Sequence, residues 1–385
     1  MSRGMKMIKR AAKCYIVVKW TLFVALAAAQ QPVRLWSVSM LADPAFERSQ
    51  RAATLGMRPS QIEFLSSDKL VIAFDDAPAI HIGDEAGRPF NFHVLSVAVQ
   101  TGVVERFLTF PVTSDTSAIG VTATGDLLVL AGEEMAKYSE RFTKLARYET
   151  KLTLHGKPSR VDYSDRSFLS DLGEFWKLNV GPGGKTLLLQ HKNAPMRGEF
   201  LWLSSADFTE KHHKSMNHWD WDQIDSGDDT ALLSNPLEGQ SVEVGGREDR
   251  AICRECRGAY FLSNDRFLID KGKHYEIVEA SGKKLIRGPL FVNVATFARS
   301  LRSARYAFAT GAYKGFGFPL VTEFRSIRTE IVIRELSSAH NIGSIKLTTE
   351  IKGTSLGVHF PIALSPDGKL LAVLNGDRLE CFKLP

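Results

Sequence analysis

The chain has 385 residues, 44% of them hydrophobic and 24% charged, the balance of a folded globular protein and not of a disordered or collagen-like one. Its formal net charge of +6 suggests a basic protein. That excess lies wholly in residues 1–29, where Arg3, Lys6, Lys9, Arg10, Lys13 and Lys19 stand without an acid. The remainder is electrically neutral, which removes the argument for a nucleic-acid partner.

The N-terminal stretch reads as a secretory signal. A basic segment ending at Lys19 precedes the apolar run of residues 20–29, and Ala27 and Ala29 form an A-x-A-like site before Gln30, Gln31 and Pro32. This order is that of a cleaved signal peptide. The run is shorter than the roughly 20 apolar residues needed to span a bilayer. Cleavage after Ala29 is expected, with an uncleaved anchor as the alternative. The mature chain is then a single domain over residues 30–385, periplasmic or extracellular, with no membrane insertion.

Beyond the signal, strand patterns recur. Residues 33–40 alternate like a strand and stand apart from any repeat. Residues 41–55 are the best helical candidate, and 45–59 are rich in Arg and Ala. The first repeat has strands at 62–65 and 70–74 around the turn Ser66-Ser67-Asp68-Lys69, then strands at 92–99 and 103–110. The second has 117–123, 127–131, 135–138 and 145–152. The third has 175–180, the turn Gly181-Pro182-Gly183-Gly184-Lys185, then 186–190 and 200–203. The fourth is poorer, with 219–224, 231–233 and 241–244. The fifth has 259–262, 267–269, 275–278 and 284–286. The sixth has 292–297, 306–309, 330–336 and 342–347, interrupted by a long insertion at 311–329. The seventh ends the chain: 360–364, the turn Ser365-Pro366-Asp367-Gly368-Lys369, 370–374, the turn Asn375-Gly376-Asp377, and an alternating strand to Leu384. Apolar runs bounded by such turns are antiparallel hairpins.

Seven all-β units of roughly 35 to 65 residues, near the period of about 40–50 residues of propeller blades, point to a propeller. The last unit has three strands, and residues 33–40 supply the fourth. Pairing the two ends closes the ring and removes unpaired edges. The fold class expected is therefore all-β: a seven-bladed β-propeller of four-stranded antiparallel blades. Two separate β-sandwiches are the alternative.

The SPDGK turn at 365–369 and its echo GPGGK at 181–185 resemble the inner hairpin turn of WD-repeat-like propellers, and exported bacterial members of that superfamily carry this turn. The resemblance covers residues 33–385 with degenerate repeats. It departs from the pattern at Trp219-Asp220 and Trp221-Asp222, which open a blade where the family's WD dipeptide ends a third strand. The resemblance implies a propeller and leaves the function to the site.

Candidate chemistry is sparse. Cys253 and Cys256 form a CxxC pair in what reads as a loop entering a strand, and a local disulfide is the leading expectation. A thioredoxin-like pair needs a low-pKa cysteine at a helix N-terminus, and zinc needs further ligands. The stretch from His212 and His213 through His218, Asp220, Asp222, Asp225, Asp228 and Asp229 reads as an exposed connecting loop and turn, with a metal site as the weaker reading. The insertion carries Tyr313, Lys314, Phe316, Phe318, Arg325 and Arg328. Long loops with interleaved glycines, aromatics and cations cap pockets or grip partners.

No nucleophile elbow, zincin helix or Rossmann fingerprint is present. The expected function is a non-catalytic platform for a protein, peptide or glycan, acting as a monomer without metal or other cofactor. The alternative is an axial-site hydrolase or dehydrogenase of the lactonase-like or quinoprotein-like kind, whose residues come from several blades and leave no local motif. A purely structural envelope protein is a third possibility. Convergent carboxylates or histidines at the channel would favour the enzyme; a shallow aromatic face would favour binding.

Overall fold

The computed structural model describes residues 31–41, 45–47, 60–76, 90–112, 117–150, 175–193, 197–217, 223–235, 239–245, 249–289, 297–300, 302–316, 323–338, 340–347, 352–353 and 361–385. The expected signal peptide lies outside them.

Seven antiparallel sheets follow one another around a ring. Strand β1 (Val33–Ser39) precedes the first blade. Blade one is β2–β5 (Gln61–Phe64, Lys69–Asp75, Phe90–Ala98, Val104–Val112). Blade two is β6–β9 (Ser117–Val121, Leu127–Ala131, Glu134–Tyr138, Lys144–Glu149). Blade three is β10–β13 (Phe175–Val180, Thr186–Asn193, Arg197–Ser204, Glu210–Asn217). Blade four is β14–β17 (Gln223–Ser226, Ala231–Asn235, Gln240–Val244, Arg250–Arg254). Blade five is β18–β21 (Gly258–Ser263, Arg266–Asp270, His274–Glu279, Lys284–Pro289). Blade six is β22–β25 (Phe297–Arg299, Arg305–Phe316, Glu323–Glu335, Asn341–Leu347), with a short β26 (Lys352–Gly353) added beside β24. Blade seven is β27–β29 (Ile362–Leu364, Leu370–Asn375, Arg378–Lys383).

Blade seven is completed by β1, as the orphan alternation at 33–40 predicts. β1 pairs antiparallel with β29 from Val33↔Lys383 to Ser39↔Arg378, with a bulge between Arg34 and Trp36. Arg34 Nη1 meets Glu380 Oε1 at 3.0 Å, and the Met40 N–H donates to the Asp377 carbonyl at 2.7 Å.

The second strand of a blade has both faces covered, which explains its continuous apolar run. In β3, Leu70, Ile72 and Phe74 pack toward blade seven, while Val71 and Ala73 pack toward blade two. In β28, Ala372 and Leu374 face blade one, and Leu371 and Val373 face blade six. The protein therefore has a ring of interblade cores and no single core. Phe46 adds to the core between blades seven and one: it is fully buried and meets the Phe74 ring edge-on at 5.1 Å. Of the helical pattern at 41–55, Leu41 and residues 45–47 are described, and the latter form one helical turn.

The inner turns interlock. In the SPDGK turn, Ser365 Oγ donates to Asp367 Oδ1 at 2.6 Å and accepts from the Leu370 N–H at 2.9 Å, while the Gly368 N–H donates to the Ser365 carbonyl at 2.8 Å. Burial works against the Asp367 carboxylate, but the Ser365 hydroxyl and Lys369 N–H outweigh it and hold its pKa below the usual range. The GPGGK turn reaches the blade before it. Gly184 has φ +65°, its carbonyl accepts from Ala123 N–H at 2.9 Å, and a Cβ there would lie 2.6 Å from the Ala123 nitrogen. Both the backbone angle and the close approach require glycine.

The sequence reading is corrected at three places. The insertion at 311–329 is a continuation of blade six. β23 and β24 stay paired out to Phe316↔Glu323, and β26 pairs with Phe324 and Arg325. The pairing continues through Gly311 and Gly315, so the ladder and not local strand propensity carries the hairpin past the blade. The histidine-rich stretch is not a connecting loop: Glu210–Asn217 is the outer strand of blade three, and residues 218–222 lie outside the described residues. Arg250–Arg254 is a fourth strand for blade four, so Cys253 stands at the end of one blade and Cys256 at the approach to the next.

Candidate functional site

The inner strands surround an axial cavity of about 390 Å³. β2 lends it Gln61, Ile62 and Glu63; β6 lends Ile119 and Val121; β10 lends Leu178, Asn179 and Val180; β14 lends Asp225; β22 lends Phe297 and Arg299; and blade seven lends Ile362 and Leu364. Separate blades thus place polar side chains among apolar ones on a wall of mixed character.

Arg299 organises this wall. Its Nη1 donates to Asp225 Oδ2 at 3.1 Å and to the Phe261 carbonyl at 2.7 Å. Its Nη2 donates to the Val180 carbonyl at 2.8 Å and the Ser226 carbonyl at 3.3 Å. One residue of blade six therefore binds blades three, four and five. Asp225 is fully used as well: Oδ2 accepts from the Phe261 N–H at 2.7 Å and Oδ1 from the Ser226 N–H at 2.9 Å. Arg302 repeats the crossing nearer the inner turns, donating through Nε and Nη2 to the Ala123 carbonyl of blade two at 3.1 and 2.7 Å.

Two lining groups are not used. Among the described residues the part-buried Glu63 carboxylate forms no hydrogen bond or ion pair, and the buried Asn179 Nδ2 has no acceptor. Burial pushes the Glu63 pKa up to about 7, with Arg299 pulling weakly the other way. Gln61 beside it is satisfied, accepting from the Ile119 N–H at 2.8 Å.

The strand directions fix what surrounds this cavity. β22 pairs antiparallel with β23 through Phe297↔Phe308 and Arg299↔Tyr306, so β23 beyond Phe308 runs past the start of the inner strand. The extended hairpin therefore projects from the face where the inner strands begin. Arg302 and the interlocked turns lie at the opposite end. The sheet topology is that of a ring of four-stranded blades whose last blade borrows the first strand.

This is the fold of a seven-bladed β-propeller. No known family model matches the chain, and no curated protein matches its sequence. Solved structures do match. The WD40 domain of Pan2 from Neurospora crassa aligns over 93% of this chain and 96% of its own at 10% identity, with a TM-score of 0.52. A chain of the mitotic checkpoint complex aligns over 92% and 95% at 13% identity and a TM-score of 0.48. BBS1N, from its complex with ARL6DN, aligns over 92% of each chain at 9% identity and a TM-score of 0.47. Identities this low speak to the fold alone.

The residues singled out from the sequence fall in several places. Tyr313, Lys314, Phe316, Arg325 and Arg328 lie on the extended arms of β23 and β24, with Lys314 and Arg325 as register partners and Arg328 opposite Ala312; Phe318 lies outside the described residues. His212 and His213 are exposed on β13, away from the axis: His213 Nε2 is 3.3 Å from Glu199, and the His212 ring lies 5.0 Å from Trp202. Asp225 is in the channel, while Asp228 serves the turns, accepting from Asn264 Nδ2 at 2.7 Å. Among the described residues there is no cluster of three or more His, Cys, Asp or Glu able to hold a metal. Cys253 and Cys256 are joined by a disulfide, with Cα atoms 6.3 Å apart. Both are buried in the core between blades four and five.

Glu63, Asn179 and Arg299 escaped the sequence reading. Each is one polar residue in an apolar inner strand, and its significance appears when the blades are set in a ring.

Proposed function

We propose that this protein is an exported, non-catalytic interaction platform that binds a protein or peptide on the face carrying the extended hairpin. The observation that carries the reading is how the channel spends its charges. Acid–base catalysis needs a positioned acid or base beside a second reacting group. Asp225 and Arg299 are consumed by each other and by backbone groups, which leaves Glu63 as the one uncommitted carboxyl among the described lining residues. One uncommitted carboxyl with no second reacting group beside it among the described lining residues suits recognition better than acid–base turnover. The hairpin adds reach on the same face, with Lys314 and Arg325 opposite one another on its arms. The basic-then-apolar N-terminus ending at Ala29 supports export.

The test is capture by cross-linking from the exported fraction. The bait is the mature chain, compared with a variant in which residues 314–325 are replaced by Asn-Gly. That turn closes Tyr313 onto Ser326 as a two-residue hairpin. The expected result is a specific partner held by the parent and lost by the variant at unchanged thermal stability. Equal capture by both removes the hairpin from the reading. Failure of the parent to capture any partner overturns the platform itself.

A further inference from the structure

We propose that the axial cavity is a receptor for a basic side chain of a peptide, with Glu63 as counter-charge to its ammonium or guanidinium group and Asn179 as donor to a peptide carbonyl. This rests on the platform reading above and names the chemistry of its ligand.

The size is suitable. A cavity of about 390 Å³ lies in the range of roughly 300–1,000 Å³ that holds small ligands. The charge accounting then selects the ligand's sign. The charged groups on the described wall are Glu63 from β2, Asp225 from β14 and Arg299 from β22. Asp225 and Arg299 neutralise each other, and both Arg299 terminal nitrogens are occupied by Asp225, Phe261, Val180 and Ser226. An anionic ligand would have to break that web to reach the guanidinium. Glu63 is left as the unbalanced charge.

An unpaired carboxylate that is part-buried, as Glu63 is, loses much of its hydration, and either a proton or a cation relieves that cost. A proton is the resident solution, since burial drives the Glu63 pKa up to about 7. A bound cation replaces it. The second unmatched group calls for an acceptor: Asn179 Nδ2 is buried and lines the same cavity without a partner among the described residues. A cation accompanied by a carbonyl is what a lysine or arginine residue in a peptide presents. The walls complete the fit. Ile62, Ile119, Val121, Leu178 and Ile362 offer apolar surface to the methylene stem that both side chains carry.

The experiment is calorimetric titration of the full mature protein with acetyl-Ala-Lys-Ala-amide, its arginine counterpart, and the isosteric norleucine peptide, at pH 6 and pH 8. At least one basic peptide is expected to bind, about tenfold tighter at pH 8 because Glu63 is then ionised. Glu63→Gln is expected to lose at least about tenfold in affinity at pH 8 and to abolish the pH difference. The melting temperature of the variant shows that it is folded. Which basic peptide binds better separates the ammonium from the guanidinium. Equal binding of the norleucine peptide, undiminished binding by folded Glu63→Gln, or no binding of either basic peptide overturns the proposal. If neither basic peptide binds while the parent chain still captures a partner, the cationic anchor fails and the platform stands. Absence of both overturns both.

Discussion

Arg299 Nη1 lies 3.1 Å from Asp225 Oδ2, an ion pair that ties blade six to blade four across the axis. Both side chains are largely buried, at 12% and 15% exposure. A planar guanidinium is suited to this position because its two terminal nitrogens diverge toward separate acceptors. Arg299→Ala is predicted to destabilise the protein by about 3–5 kcal/mol, because it leaves Asp225 as an uncompensated buried charge. Arg299→Lys restores the charge but not the fork and is expected to recover only part of the loss. Equilibrium urea unfolding measures this, and a double-mutant cycle with Asp225→Asn isolates the pair. A loss below about 1 kcal/mol would place the pair among ordinary surface bridges.

Ring closure depends on the first described strand. β1 covers the β29 edge, and Trp36 Nε1 donates to the Val99 carbonyl of blade one. Trp36 and Val38 also pack against Gly102, where a Cβ would lie 2.9 Å from Val38 Cγ2. A mature chain begun at Ala45 lacks this strand and exposes an unpaired edge of the kind that seeds aggregation. It is expected to melt at lower temperature than the chain begun at Gln30 and to self-associate, as read by scanning calorimetry and sedimentation. Equal stability of the two would contradict the closure.

Much of the fold was legible because a blade's second strand is covered on both faces. Runs such as residues 70–74 and 127–131 announce themselves as buried strands. The SPDGK and GPGGK turns placed the register between such runs. Outer strands are different: Glu210–Asn217 reads EKHHKSMN, with exposed side chains over residues 210–213 and little alternation, and so looked like a loop. The hairpin beyond Ala309 was obscured by Gly311 and Gly315, which lower strand propensity locally while the ladder continues through them. The channel was hidden for a geometric reason. Arg299 meets Val180, Asp225 and Phe261, residues far from it in sequence. No local spacing encodes contacts that exist only when seven blades close.

The Cys253–Cys256 bridge spans a tight link between blades four and five. Glu255 between the cysteines has φ 58°, a left-handed angle costly to a residue with a side chain. The buried Ser241 Oγ lies 3.4 Å from Cys256 Sγ. A loop this short limits the chain-entropy gain to about 2 kcal/mol. Reduction after denaturation is expected to add the mass of two hydrogen atoms, and the Cys253→Ser/Cys256→Ser variant to stay folded with a loss of about 2 kcal/mol or less. Glu255→Gly is expected to offset part of that loss by relieving the backbone angle, by about 0.5–1 kcal/mol. Unfolding of the double-serine variant at room temperature would show that the bridge, and not the surrounding core, holds blade four to blade five.

Glu63 links the channel to pH in a direction opposite to that of most carboxylates. Its pKa is pushed from 4.5 to about 7 in the folded protein, first by burial, with Arg299 opposing. The folded state therefore holds this proton more tightly than the unfolded chain does. Its contribution to stability is full below about pH 4.5 and is lost as the pH climbs toward about 7. Each tenfold gain in proton affinity on folding corresponds to about 1.4 kcal/mol, so the whole effect is on the order of a few kcal/mol. Glu63→Gln keeps the shape and stays neutral, and it should remove this dependence. Against the parent protein, the variant is expected to be more stable at pH 8 and to lose that advantage at pH 5. Thermal unfolding of the two proteins side by side at those pH values reads the difference directly, since other titrating groups cancel in the comparison. Parallel curves across the range would mean that Glu63 is solvated as an ordinary surface acid, which would also remove the charge argument for a basic ligand in the cavity.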